Sequence, residues 1–271
     1  MTEAVATAGP AGGAHSTGSL TPGQVSPLDQ VKLFESKYDP VSVQILEGLP
    51  IERTWRCLEL GPGAGSMATW LAGRAGQGSV LAVDVDISHL ADVRAPNLTI
   101  RQGDVAEQDF ADGSFDLIYA RAVFEHLDDP RRTLERVLRW LAPGGWLVLE
   151  DFYYLPPEHA TTDVGRTLIA GYLKRMAGQG ADLWWGRRLP ATLAQAGLTS
   201  VASRVTPAGP GQSDVDTELI ALRLRQEGHA LVDSGLVTAE QLSGFLDSLA
   251  TGHARDITTL LVSAWGRRAT A

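Results

Sequence analysis

Cys57-Leu58-Glu59-Leu60-Gly61-Pro62-Gly63-Ala64-Gly65-Ser66 is the stretch whose reading decides the fold. A short apolar run, Arg56 to Leu60, has the character of a buried strand. Three glycines then turn the chain into a helical pattern from Ser66 to Ala75. Strand, glycine turn and helix in that order bring bare backbone and a helix N-terminus up to a nucleoside-containing ligand.

Outward from this stretch, strand and helix patterns alternate. Ser79 to Asp84 is an apolar run closed by a carboxylate, and Leu98 to Gln102 and Phe115 to Ala120 read as further strands. Pro130 to Leu141 reads as a helix with proline at its first position, and Trp146 to Glu150 follows the turn Pro143-Gly144-Gly145 as a fifth strand. Such alternation predicts a mostly parallel sheet covered on both faces, a doubly wound α/β fold. Upstream, Leu28 to Leu46 has helical spacing interrupted by Pro40, so two short helices are expected. Downstream, helices are expected at His159 to Ala177, Leu189 to Ala196, Asp214 to Glu227 and Ala239 to Leu249. Strands are expected at Val201 to Val205 and Thr259 to Trp265.

The composition narrows the function classes. With 44% hydrophobic and 20% charged residues in 271, the chain is that of an ordinary globular protein. The net charge of -9 argues against a nucleic-acid partner, which needs clustered Lys and Arg. No apolar run is long enough to span a membrane. The single cysteine, Cys57, lies inside the first strand pattern and excludes a disulfide framework, which suits a cytoplasmic protein. Residues 1–23, rich in Ala, Gly, Thr and Ser, are expected to be a disordered tail, and 24–271 a single domain.

The glycines alone are a weak signal, because tight strand-to-helix turns need glycine for steric reasons. Three companions strengthen it. Asp84 ends the second strand 23 residues after Gly61, where a carboxylate can accept both hydroxyls of a ribose. Gly103-Asp104-Val105 follows the third strand, where a side chain and the next N–H can meet an adenine edge. Glu59 sits beside the loop, where it suits a cationic ligand group and disfavours a pyrophosphate. The G-x-G-x-G spacing also differs from the G-x-G-x-x-G that dinucleotides prefer.

These residues carry a resemblance. Leu58-Glu59-Leu60-Gly61-Pro62-Gly63-Ala64-Gly65, Val83-Asp84, Gly103-Asp104-Val105, Phe115-Asp116-Leu117-Ile118 and Leu141-Ala142-Pro143-Gly144-Gly145 occur in an order and spacing that resemble the class I S-adenosylmethionine-dependent methyltransferases. The resemblance covers about 100 residues closely (Trp55 to Asp151). Further on, Gly186 to Pro190 and Val262 to Arg268 look like a group of actinobacterial small-molecule methyltransferases of secondary metabolism. It implies a seven-stranded Rossmann-like sheet of order 3-2-1-4-5-7-6 with the last strand antiparallel, and helical cap elements near 28–48 and 214–250. It implies S-adenosyl-L-methionine as cofactor and a small-molecule acceptor, methylated on oxygen or nitrogen, and it leaves homo-oligomer formation open. It assigns Glu59, Gly61 and Gly63 to the methionine part, Asp84 to the ribose, Asp104 and Val105 to the adenine, and Arg121 to the neighbourhood of the methionine amine. It implies that Tyr38, in the cap, touches the cofactor or closes over it.

For chemistry, Glu125 and His126 after the fourth strand are the base candidates, with packing or capping the favoured reading of His126. Asp151, Tyr153 and Tyr154, following the fifth strand, are expected on the substrate side. No Cys/His ligand spacing argues for a metal. Two other readings stay open: an enzyme of the same fold that binds the cofactor but catalyses a non-methylation step, and a nicotinamide-dependent dehydrogenase, which the glycine spacing opposes.

Overall fold

Seven strands form one sheet in the computed structural model, which describes residues 26–270. The expected tail, 1–23, lies outside the described residues. In chain order the elements are α1 (Pro27–Glu47), β1 (Arg56–Leu60), α2 (Ser66–Arg74), β2 (Ser79–Asp84), β3 (Leu98–Gln102), β4 (Phe115–Arg121), α3 (Pro130–Trp140), β5 (Leu141–Tyr154), α4 (Asp163–Gly178), α5 (Trp185–Gln195), β6 (Thr199–Ala208), α6 (Asp214–Asp233), α7 (Ala239–Ala250) and β7 (Thr259–Arg267). The sheet order is β3-β2-β1-β4-β5-β7-β6, parallel from β3 to β5, with β7 antiparallel to both of its neighbours. This is the order that the family resemblance implies.

The period of two along each strand sorts the side chains between two cores. Leu58 and Leu60, Ile118 and Ala120, and Leu147 and Leu149 pack with Leu134, Val137 and Trp140 of α3 and Trp185, Leu189 and Leu193 of α5. Cys57, Leu117, Tyr119 and Val148 face the other way, onto Ile45 and Leu46 of α1 and Met67 and Leu71 of α2. The polar residues interleaved on that second face, Glu59, Arg121 and Glu150, therefore point under α1. All three are buried.

Three departures from the sequence reading have local causes. Pro40 does not divide the first helix: α1 runs unbroken for 21 residues. Proline in a helix interior costs about 3 kcal/mol, but tertiary bonds hold the helix on both sides of it. Arg121 donates to Asp39 Oδ1 at 2.7 Å and to Ser42 Oγ at 2.9 Å, and Tyr38 is buried among Phe34 and Phe152. Second, α4 starts at Asp163 rather than His159, because Thr162 caps it by accepting the Gly165 N–H at 3.0 Å. Third, β5 takes in Pro143-Gly144-Gly145 and continues to Tyr154, 14 residues in all. A register shift opposite Phe115 and Leu117 absorbs the turn. This length carries Asp151, Tyr153 and Tyr154 inside the strand rather than after it.

Candidate active site

The C-terminal edge of the parallel strands is cross-tied by backbone bonds. Gly61 N–H donates to Val83 O at 2.9 Å, Gly103 N–H to Asp84 O at 2.8 Å, and Ala122 N–H to Glu150 O at 2.7 Å. The glycine loop, Asp84 and the Gly103-Asp104 turn are thereby gathered at one edge, as expected where an open α/β sheet takes its ligand. Gly61 and Gly63 have φ of 68° and 60°, in the left-handed region that L-residues avoid. A Cβ on Gly61 would stand 2.4 Å from Val123 Cγ2, and one on Gly63 would stand 3.2 Å from Val31 and 3.4 Å from the Glu35 carboxylate. The loop is glycine for both reasons, backbone and space.

Glu59 lies beside this loop, 2% exposed, and its Oε2 has no hydrogen-bond partner among the described residues. Burial pushes its carboxyl up to about 8, against the pull of Arg121. An acceptor-rich group left without a donor in the interior is costly, so this position fits a ligand that brings a cation or an N–H. Asp84 accepts the Asp86 N–H at 3.1 Å. Its carboxyl is raised by burial despite nearby amides, that of Gly63 among them. Asp104 is exposed and its Oδ1 accepts the Ala106 N–H at 2.7 Å, while Val105 is buried in the core beside Val83.

Next to the loop, α1 carries a residue the sequence reading missed. Glu35 is buried, and its Oε1 accepts the N–H groups of Ala64 at 2.9 Å and Ser66 at 3.4 Å. It fills the anion-accepting start of α2 from outside that helix. Burial raises its carboxyl. Beneath α1, Glu150 accepts from Tyr119 Oη at 2.7 Å, from Ser263 Oγ at 2.6 Å and from Ser42 Oγ. Arg121 binds Ser42 and Asp39 and lies over the Phe34 ring at 5.5 Å. The Arg121 side chain thus clamps α1 to the sheet.

A cavity of about 200 Å³ adjoins this edge. Its floor is the end of β5 and the start of β7; its walls come from α1, α4, α6 and α7. Helix α4 is a cap element the sequence reading did not assign. Phe34, Tyr38, Phe152, Tyr154 and Tyr172 give it an aromatic lining. Of the three expected pocket residues, Tyr154 alone lines it. Strand alternation turns Asp151 and Tyr153 to the α5 face. There Asp151 Oδ1 accepts the Val123 N–H at 3.0 Å, and Arg187 lies over the Tyr153 ring at 5.5 Å. The Asp151 carboxyl is held well above the usual range by burial and by Glu125 beside it.

The base candidates also stand off the cavity lining. Glu125 is buried with Oε2 accepting the Phe152 N–H at 3.0 Å, and half-exposed His126 puts Nε2 3.3 Å from Glu125 Oε1. The pair's visible contact is with the backbone that positions Phe152, not with the cavity.

Residues 58–149 match the family model described as a methyltransferase domain. The chain is 34% identical over 150 residues to a trans-aconitate 2-methyltransferase of Deinococcus radiodurans, covering 51% of this chain and 55% of that protein. It is 28% identical over 226 residues, 81% of either chain, to the enzyme of the same name from Methylobacterium radiotolerans. The chain thus spans about half the length of the first of these relatives. Among solved structures, a Haemonchus contortus phosphoethanolamine N-methyltransferase superposes with a TM-score of 0.60 at 15% identity, over 90% of this chain and 58% of that one. That likeness is one of fold.

Proposed function

We propose that this protein is a class I S-adenosylmethionine-dependent methyltransferase, a reading its matched domain supports, and that it transfers the methyl group to an oxygen or nitrogen of a small molecule held in the aromatic cavity. The carrying observation is that one helix, α1, borders both places. Glu35 sits on the glycine loop, while Phe34 and Tyr38 line the cavity. A role in secondary metabolism is read from the resemblance of 186–190 and 262–268 to actinobacterial small-molecule methyltransferases.

In this reading Glu59, Gly61 and Gly63 hold the methionine end of the cofactor. Asp84 takes the ribose hydroxyls, Asp104 and Val105 the adenine, and the backbone after Arg121 lies near the amine. The buried Glu59 Oε2, without a hydrogen-bond partner among the described residues, fits such a ligand. The bound donor supplies an activated methyl on a sulfonium. The protein's own task is then alignment and exclusion of water, which can lower a barrier by roughly 7–11 kcal/mol in favourable cases. Phe34, Tyr38 and Phe152, with ring centroids 4.7–5.9 Å apart, give the cavity an aromatic surface on the α1 side that would help to exclude water. Glu125 acts by positioning Phe152. We read His126, with Nε2 3.3 Å from Glu125 Oε1, as a packing or capping residue rather than the base.

The test is calorimetric titration with S-adenosylhomocysteine and with NAD, followed by a mass-spectrometric screen of acceptors for the gain of one methyl. Binding of S-adenosylhomocysteine with methylated product is expected. Binding of NAD instead would overturn the reading in favour of the dehydrogenase. Cofactor binding with an altered but unmethylated product would favour the non-methylation enzyme of the same fold.

A further inference from the structure

Arg223 of α6 faces the aromatic cavity. Its Nη1 donates to Tyr172 Oη at 2.5 Å, and its guanidinium carbon lies 4.6 Å from the Tyr172 ring centroid. Among the described residues it has no carboxylate within salt-bridge distance. The acids around the cavity are already engaged. Asp216 is held by Lys37 at 2.5 Å, and Glu227, one turn along α6, by Arg175 at 3.1 Å. Asp256 accepts the Thr161 and Ile257 N–H groups at 2.9 and 2.8 Å. A guanidinium has more N–H donors than one phenol can use, and a charge drawn out of water needs a partner. The other two lining arginines are engaged, Arg175 with Glu227 at 3.1 Å and Arg255 with Gly211 O at 3.1 Å, while Phe34, Tyr38, Phe152 and Tyr154 offer ring surface. Planar bidentate pairing with a carboxylate is the contact a guanidinium makes best.

We infer that the cavity takes an acceptor with an apolar, ring-sized body and one carboxylate, and that Arg223 is the residue that selects it. This rests on the methyltransferase reading for the word acceptor, but the selectivity for a carboxylate is a property of the cavity alone. The alternative is that Arg223 serves only to brace α6 against α4 through Tyr172.

The test uses two fragments of equal shape, trans-cinnamate and its neutral amide, titrated calorimetrically into the full chain with and without S-adenosylhomocysteine. Cinnamate should bind at least tenfold more tightly than the amide. Arg223→Met should abolish that preference, while Arg223→Lys keeps part of it. Equal affinity of the two fragments for the unmodified protein would overturn the inference, as would a preference that survives Arg223→Met in a folded variant. The unmodified protein decides the first point even if Arg223→Met fails to fold, and Arg223→Lys then decides the second. If S-adenosylhomocysteine does not bind while cinnamate is still preferred, the methyltransferase reading fails and the anchor stands; cofactor binding without the preference gives the reverse.

Discussion

Glu59 carries the most direct chemistry of any single residue in the structure. Its carboxyl, pushed up to about 8 by burial, is largely protonated at neutral pH in the free protein. A cationic ligand group beside it would favour ionisation. Binding of S-adenosylmethionine at pH 7 is therefore expected to release a proton, read as a dependence of the calorimetric enthalpy on the buffer's ionisation enthalpy. Glu59→Gln should remove that dependence. Asp84→Ala should weaken S-adenosylhomocysteine binding by roughly tenfold or more, the loss of one or two charge-assisted bonds, with the circular dichroism spectrum unchanged. Gly61→Ala acts differently. It forces a left-handed conformation on an L-residue, about 1–2 kcal/mol, and drives a methyl into Val123. Pairing it with Val123→Ala should recover the steric part and leave the conformational part, as measured by urea denaturation.

At the scale of elements, α1 is the informative one. It is fastened by a polar network under its centre, and Ser42→Val should cost about 1–3 kcal/mol, because it strips one donor from the buried Glu150 and an acceptor from Arg121. The same element shows where sequence reading stops. Pro40 is a correct local signal for a break, and it is outvoted by Arg121, some 80 residues away, which no local pattern can anticipate. The alternation of strands and helices, the glycine loop and the carboxylate ending β2 are legible because they depend on periodicity and on turns between neighbours in the chain, whereas the strand order is implied only by the family resemblance. Asp151 and Tyr153 were misplaced for a related reason. Once β5 is known to reach Tyr154, the alternation that turns Tyr154 inward must turn Tyr153 outward. Arg223 carried no signal at all, since an arginine on an amphipathic helix reads as solvated until its neighbours are known.

Across the whole molecule, the raised carboxyls of Glu35, Glu59, Asp84 and Asp151 share a main cause, burial near one edge of the sheet. In the unfolded chain each returns to the ordinary range. The folded state therefore binds more protons, and the stability these groups contribute is present below about pH 4 and lost as pH rises through their folded values. The free protein should unfold at a lower temperature at pH 8 than at pH 6 in a calorimetric scan. A ligand that neutralises Glu59 should narrow the gap.

The shared wall formed by α1 has a further consequence. Because Glu35 and the pair Phe34 and Tyr38 lie within about one helical turn of each other, any shift of that turn changes both recesses at once. Occupancy of one is then thermodynamically linked to the affinity of the other, and linkage is reciprocal. The factor by which S-adenosylhomocysteine changes the affinity for cinnamate should equal the factor by which cinnamate changes the affinity for S-adenosylhomocysteine. Substitution of Glu35 by alanine, which frees α1 from the loop, should bring that factor towards unity.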